Sequence, residues 1–173
     1  MQESLHLDYK DRRALRRDKA SEIAKDVSAF ANADGGIIIY GVTEAKHVPE
    51  KIDEGVDHHK LSHEWLEQII RSHIMPRIEG LLIAPIRLSL DKSIYAVYIP
   101  KSYRGPHQKM DSKEYFKRYD FSSVPMDDYE INDIRNRRQV VPPLINIDTE
   151  SRRGIMIYFR VTNIGALPAE DVT

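Results

Sequence analysis

The chain of 173 residues has no cysteine. That excludes a disulfide framework and any thiolate metal site, and it fits a reducing, cytoplasmic setting. No apolar run approaches the ~20 residues needed to cross a bilayer, so no membrane attachment is expected. Met1-Gln2-Glu3-Ser4 lacks the basic-then-apolar order of a signal peptide. Charge of one sign is also missing: 26 Lys and Arg stand against 27 Asp and Glu, a net charge of −1. A global positive field is therefore absent, and any contact with an anionic polymer must come from a local patch. There is no Gly-x-Ser-x-Gly elbow. The glycines near residue 35 open a strand rather than a helix, and no Gly-Lys-Ser/Thr follows. Nothing suggests an organic cofactor.

What is present centres on residues 29–42, Ala-Phe-Ala-Asn-Ala-Asp-Gly-Gly-Ile-Ile-Ile-Tyr-Gly-Val. Ala20, Ile23, Ala24, Val27, Phe30 and Ala31 recur at helical spacing, which predicts a helix to about Asn32 with Asp18 as its cap. Gly35-Gly36 supplies a tight turn. Ile37, Ile38, Ile39 and Val42 then read as a strand buried on both faces. Before this, Leu5, Leu7 and Tyr9 alternate with polar residues and predict a strand over 4–10.

Further along, residues 43–61 read as a polar surface loop. His58, His59 and His63 lie close in sequence but read as solvated or capping residues. Ser62 caps a second helix with a Trp65, Leu66, Ile69, Ile70, Ile74 stripe, and Pro76 stops it. Strands follow over 83–90 and 94–99, then a loop over 101–112 and a strand over 113–119. Asp127 and Glu130 have capping-box spacing for a third helix running to about Arg138, and Met126 could staple onto Ile131. Residues 139–143 read as a linker. Residues 144–173 read as an incomplete β-rich segment like the start of an immunoglobulin sandwich, with a turn over 163–168.

Two basic stretches point to an anionic partner. The first holds Lys10, Arg12 and Arg13. In the second, over 101–118, the six cations Lys101, Arg104, Lys109, Lys113, Lys117 and Arg118 stand against only Asp111 and Glu114, an excess of four. Lys10, Arg12, Arg13, Lys101, Arg104, Lys117 and Arg118 are the candidate phosphate contacts of a nucleic-acid-binding domain for DNA or RNA. Alternatively the domain is an assembly module that forms a homodimer through its sheet or last helix.

Several spaced motifs carry a family resemblance over residues 3–138. They are Asp8-Tyr9-Lys10, Ala29 to Gly36, Gly41-Val42-Thr43-Glu44, the segment from Pro100 to His107, and Tyr115-Phe116-Lys117-Arg118 with Pro125-Met126 and Glu130-Ile131. In this order they resemble the Schlafen AlbA-like domain of bacterial and animal proteins. The resemblance implies an α/β (α+β) domain over 1–138, a mixed β-sheet flanked by two or three helices, and binding of DNA. It also implies an alternative, a metal-dependent endoribonuclease in which Glu3, Asp8 and Glu44 hold Mg²⁺ or Mn²⁺. Two departures accompany that alternative. Thr43 replaces the usual acid, and Glu3 and Asp8 can share a face only if the strand between them bends.

Overall fold

Hydrophobic periodicity places a helix against strands here, and the computed structural model shows how they are layered. It describes residues 3–137, 145–152 and 156–163. The chain divides into two compact units, Met1–Arg135 and Asn136–Thr173.

The first unit runs β1 (Leu7–Lys10), two 3-10 turns, α1 (Ala20–Asn32), β2 (Gly36–Tyr40), β3 (Val42–Ala45), β4 (Val48–Ile52), β5 (Val56–Asp57), α2 (His63–His73), β6 (Ile74–Met75), β7 (Leu82–Arg87), β8 (Lys92–Ile99), β9 (Gln108–Lys109), β10 (Glu114–Tyr119), β11 (Ser122–Pro125) and α3 (Asp128–Arg137). The main sheet is mixed: β1 pairs parallel with β2, β2 antiparallel with β8, and β8 antiparallel with β7 and β5. A second sheet has the order β11-β10-β9-β6. The fold is α+β. Beyond the last two residues of α3, the described part of the second unit is one antiparallel hairpin, β12 (Ile145–Arg152) with β13 (Met156–Asn163). The linker at 139–143, the end of the third helix at Arg138 and most of the turn expected over 163–168 lie outside the described residues.

Helix α1 packs against β10 of the second sheet and against α2, and it also touches β2 and β8 of the first sheet. Its last turn is buried all round from Ser28 to Asn32, which is why small alanines surround Phe30. Its Ile23, Ala24, Val27 and Phe30 join Ile38, Tyr40, Tyr95, Val97 and Ile99 of the main sheet in one core with Leu66, Ile70 and Ile74. Two local expectations need correcting. Asp18 lies in a 3-10 turn and pairs with Arg16; α1 starts at Ala20 with no side-chain cap. Residues 43–61 are not simply a loop, because β3, β4 and β5 lie there. Their solvated, charged side chains hide the strand pattern. Ser62 does cap α2, accepting from the Trp65 N–H at 3.3 Å.

The glycine corner is held by close backbone approach. Gly35 has φ +73°, and a Cβ there would lie 2.5 Å from the Lys101 nitrogen and 2.6 Å from the Ile99 oxygen. Gly35→Ala is expected to cost roughly 2 kcal/mol or more, from left-handed strain plus a clash with backbone that cannot step aside. A thermal melt within a degree of the parent would disprove this.

Candidate functional site

The bend between Glu3 and Asp8 is a tight turn. Ser4 and Leu7 exchange N–H···O bonds of 2.9 and 3.3 Å, which folds the chain back and lets the Tyr9 N–H donate to Glu3 Oε1 at 3.0 Å. Glu3 and Asp8 thereby become neighbours. The β3–β4 turn meets them from the other side. Lys46 and His47 take left-handed φ values of 53° and 63°, and the Glu3 N–H donates to the His47 carbonyl at 2.8 Å. His47 Nδ1–H donates to Glu3 Oε2 at 2.6 Å, and the His47 backbone N–H donates to Glu44 Oε2 at 2.7 Å. Ligand atoms of Glu3, Glu44 and His47 all lie within 4.8 Å of one another. The Phe121 ring stacks on His47 with centroids 4.2 Å apart. These residues line a cavity of about 430 Å³ together with Asp8, Lys10, Asp11, Arg13 and Thr43.

Buried charge lies behind the cavity. Asp8 is 1% exposed. Burial pushes its carboxyl up to about 6, against the pull of Lys10 and Arg118, and a hydrogen bond with Glu3 favours its protonated form. Glu3 is also pushed up by burial, but the Tyr9 N–H, His47 and the Asp8 proton together hold it below its ordinary value. Lys10 Nζ lies 3.0 Å from Asp8 and 3.9 Å from Asp26. Burial lowers the affinity of Lys10 for its proton, but the two carboxylates outweigh that and the net shift is upward. Arg118, with a side chain 1% exposed, bonds Asp8 at 3.2 Å and lies 4.6 Å over the Phe30 ring. Burial raises the Tyr40 phenol well above its ordinary value, reinforced by Asp26 and Asp8.

The family model described as Schlafen, AlbA_2 matches residues 3–127. The chain belongs to this family. Among solved structures it is similar to the DIP2311 protein from Corynebacterium diphtheriae, with TM-score 0.57 and 20% identity over 84% of this chain. It spans only 30% of that protein's length. It is also similar to the N-terminal domain of a RecG-related protein from Nitrosomonas europaea, with TM-score 0.51 and 18% identity, covering 74% of this chain and 85% of that one. At these identities the two likenesses show the fold alone. No curated protein matches the chain.

In this Schlafen AlbA_2 domain the signature residues act as braces. Asn32 Nδ2 donates to the His107 and Phe116 carbonyls at 2.9 and 2.8 Å, and its Oδ1 accepts from the His107 N–H at 2.6 Å. His107, 0% exposed, donates from Nδ1 to the Pro76 carbonyl at 2.7 Å and accepts at Nε2 from the Ser102 hydroxyl at 2.6 Å. The Pro-His segment is thereby tied to α1 and to the chain just after β6.

The seven candidate cations do not form one free basic patch, because each has an acid beside it. Lys10 and Arg118 share Asp8. Arg12 meets Glu54 at 3.2 Å, Arg13 meets Asp11, Lys101 meets Asp34 at 2.7 Å, Arg104 meets Glu79 at 2.7 Å, and Lys117 meets Glu130. The excess of four charges over 101–118 is thus offset by acids from other segments. Arg118 is removed from the contact set, since its buried guanidinium clamps Asp8 and reaches the Ser4 carbonyl at 3.5 Å. It positions the turn that carries Glu3. Exposed pairs are worth little and exchange partners readily. That leaves Lys10 and Arg13, the latter with its side chain 81% exposed, as the candidate cations that line the cavity with Glu3. His47 and Phe121 were not marked by the sequence. One lies in a polar turn and the other between two strands, and no spacing links either to Glu3.

Proposed function

We propose that this domain binds nucleic acid through its phosphate backbone, at the cavity where Glu3, Glu44 and His47 converge, and that these three residues hold a divalent cation there. The observation that carries this reading is the convergence of three ligand atoms within 4.8 Å in a cavity also lined by Lys10 and Arg13. The donors fit a divalent ion: two carboxylates and one imidazole suit Mn²⁺ better than Mg²⁺, which prefers oxygen alone. A bound divalent cation supplies positive charge to phosphate oxygens and acidifies water. Arg13 adds an exposed guanidinium at the rim, paired with Asp11, and the buried Asp8–Arg118 pair fixes the Glu3 turn. Membership of the Schlafen, AlbA_2 family supports a nucleic-acid partner, DNA or RNA.

Fluorescence anisotropy with a labelled oligonucleotide tests this. In Mn²⁺, affinity is expected to fall at least roughly tenfold between about 50 and 200 mM salt. Arg13→Glu should weaken it by about tenfold, and Glu44→Gln should remove the Mn²⁺ dependence. Affinity that is flat across this salt range overturns the reading.

A second reading, a metal-dependent endoribonuclease, is favoured by one observation: Glu3, Asp8 and Glu44 all line the same cavity, and Asp8 titrates near 6, in the range of a proton-transfer group. Cleavage of labelled RNA in Mn²⁺ should then disappear in Glu44→Gln while binding of the nucleic acid persists. Equal cleavage by parent and variant would exclude it.

A further inference from the structure

The β3–β4 hairpin is a two-stranded sheet of its own, and it brings Thr43, Glu44 and His47 to the Glu3 cavity. Its ladder pairs Thr43 with Lys51 and Glu44 with Pro49, so Glu50 is skipped as a β-bulge. Successive residues of a regular strand face opposite ways. The bulge re-aims this one, and Thr43 and Glu44 both line the cavity. Two lysines outside both basic stretches lie beside these residues. Lys46 stands in the turn directly before His47, at φ 53°. Lys51 is directly across the ladder from Thr43, and side chains at opposed positions share a face. Both lysines are exposed, and neither ammonium has an acidic or hydrogen-bonding partner among the described residues.

Taken alone, the cavity is a poor place for a phosphate. Its walls hold four acids, Glu3, Asp8, Asp11 and Glu44, against Lys10 and Arg13, and those two cations are held by Asp8 and Asp11. A divalent ion on Glu3, Glu44 and His47 offsets two of the four negative charges. Positive charge for further phosphates has to come from cations that are not already paired. We infer that the β3–β4 hairpin is the arm that grips the nucleic-acid backbone, with Lys46 and Lys51 each taking a phosphate that flanks the one held at the ion. This rests on the reading of the cavity as a cation-dependent nucleic-acid site. From Lys46 to the Thr43–Lys51 pair is a span of roughly 10 Å, at ~3.4 Å per residue of strand. Phosphates rise ~3.4 Å apart along each strand of a duplex, so the two ammonium groups meet different phosphates. Lysine is a point charge on a flexible stem, suited to phosphate oxygens and indifferent to base sequence. Glu44 and His47 belong to the same hairpin, so the ion also fixes the strand and turn that carry both lysines.

The test is the salt dependence of binding to a labelled oligonucleotide in Mn²⁺, followed by fluorescence anisotropy as log Kd against log salt concentration. Lys46→Gln and Lys51→Gln should each reduce the slope by about 0.7–0.9, the value of one lost phosphate contact, and the double variant by about twice that. Arg87 is an exposed cation on β7, which β2 and β8 separate from β1, and its guanidinium has no partner among the described residues. Arg87→Gln should keep the parent's slope. Mn²⁺ affinity without nucleic acid, read by electron paramagnetic resonance, should be the same in the parent and every variant. A double variant that binds with the parent's slope overturns the inference and leaves the cavity reading standing. So does an equal loss of slope in Arg87→Gln, which would make the effect one of overall charge, or a loss of Mn²⁺ affinity in either lysine variant, which would make the lysines supports of the ion. A parent whose affinity does not change with salt removes the cavity reading and this inference with it.

Discussion

Asp8→Ala is expected to lower the unfolding free energy at pH 7 by about 3–5 kcal/mol, because it strands a buried guanidinium. Arg118 and Asp8 have side chains only 1% and 2% exposed, and the Nε of Arg118 already lacks a partner. Urea denaturation measures the loss. The double variant Asp8→Leu with Arg118→Met should recover most of it, since apolar replacements of similar volume remove both desolvation penalties together. A single variant within 1 kcal/mol of the parent, by the order of magnitude expected for exposed pairs, would mean that the pair is not a clamp. The same coupling makes Asp8→Ala a poor test of catalysis, which is why Glu44→Gln serves instead.

Asp8 also gives the stability a pH dependence whose sign is determined by its proton. Its carboxyl titrates near 6 in the fold against an ordinary value of 3.8. Between those values the native state holds more protons than the unfolded chain, so this group makes stability fall as pH rises from about 4 to 6. Glu3 acts oppositely. Its native value lies below 4.5, so its contribution is present above 4.5 and is lost as pH falls through the lower native value. Asp8→Asn should flatten the first slope and leave the second. Stability measured across this range in parent and variant would show an unchanged upper slope if burial of Asp8 were not its source.

Asn32→Ala is the second large effect, expected to cost at least about 3 kcal/mol. Its side chain is the partner for the N–H and C=O of His107 and the C=O of Phe116, and each buried group left unsatisfied costs about 1–3 kcal/mol. Asn32→Asp discriminates between packing and hydrogen bonding. It keeps the acceptor for the His107 N–H but turns a carboxylate oxygen toward two carbonyls. Its deficit should be largest at neutral pH and shrink in acid, where a protonated oxygen can donate to one of them. Chemical denaturation at two pH values reads this directly, and a deficit independent of pH would assign the role of Asn32 to shape alone.

The local elements were legible in the amino-acid order because their causes are local. Helical spacing from Ile23 to Ala31 predicts α1, Gly35 permits the left-handed corner, and the Ser62 hydroxyl reaches the Trp65 N–H three residues on. The β3–β4 hairpin escaped notice because an exposed hairpin carries no apolar alternation. The basic stretches misled for a related reason: a charge count along the chain omits acids that folding brings from elsewhere. Arg118 finds Asp8 across 110 positions, and Lys101 finds Asp34 across 67. By itself, then, the sequence determined the helices, the glycine corner and the family, all carried by side chains within a few residues of one another. Only the tertiary structure decided that Glu3 and Glu44 meet at His47, that the candidate cations are already paired, and that Ile37, in a strand expected to be buried on both faces, is exposed while Ile38 is buried. Each of these depends on the register and layering of distant strands, which no local pattern encodes.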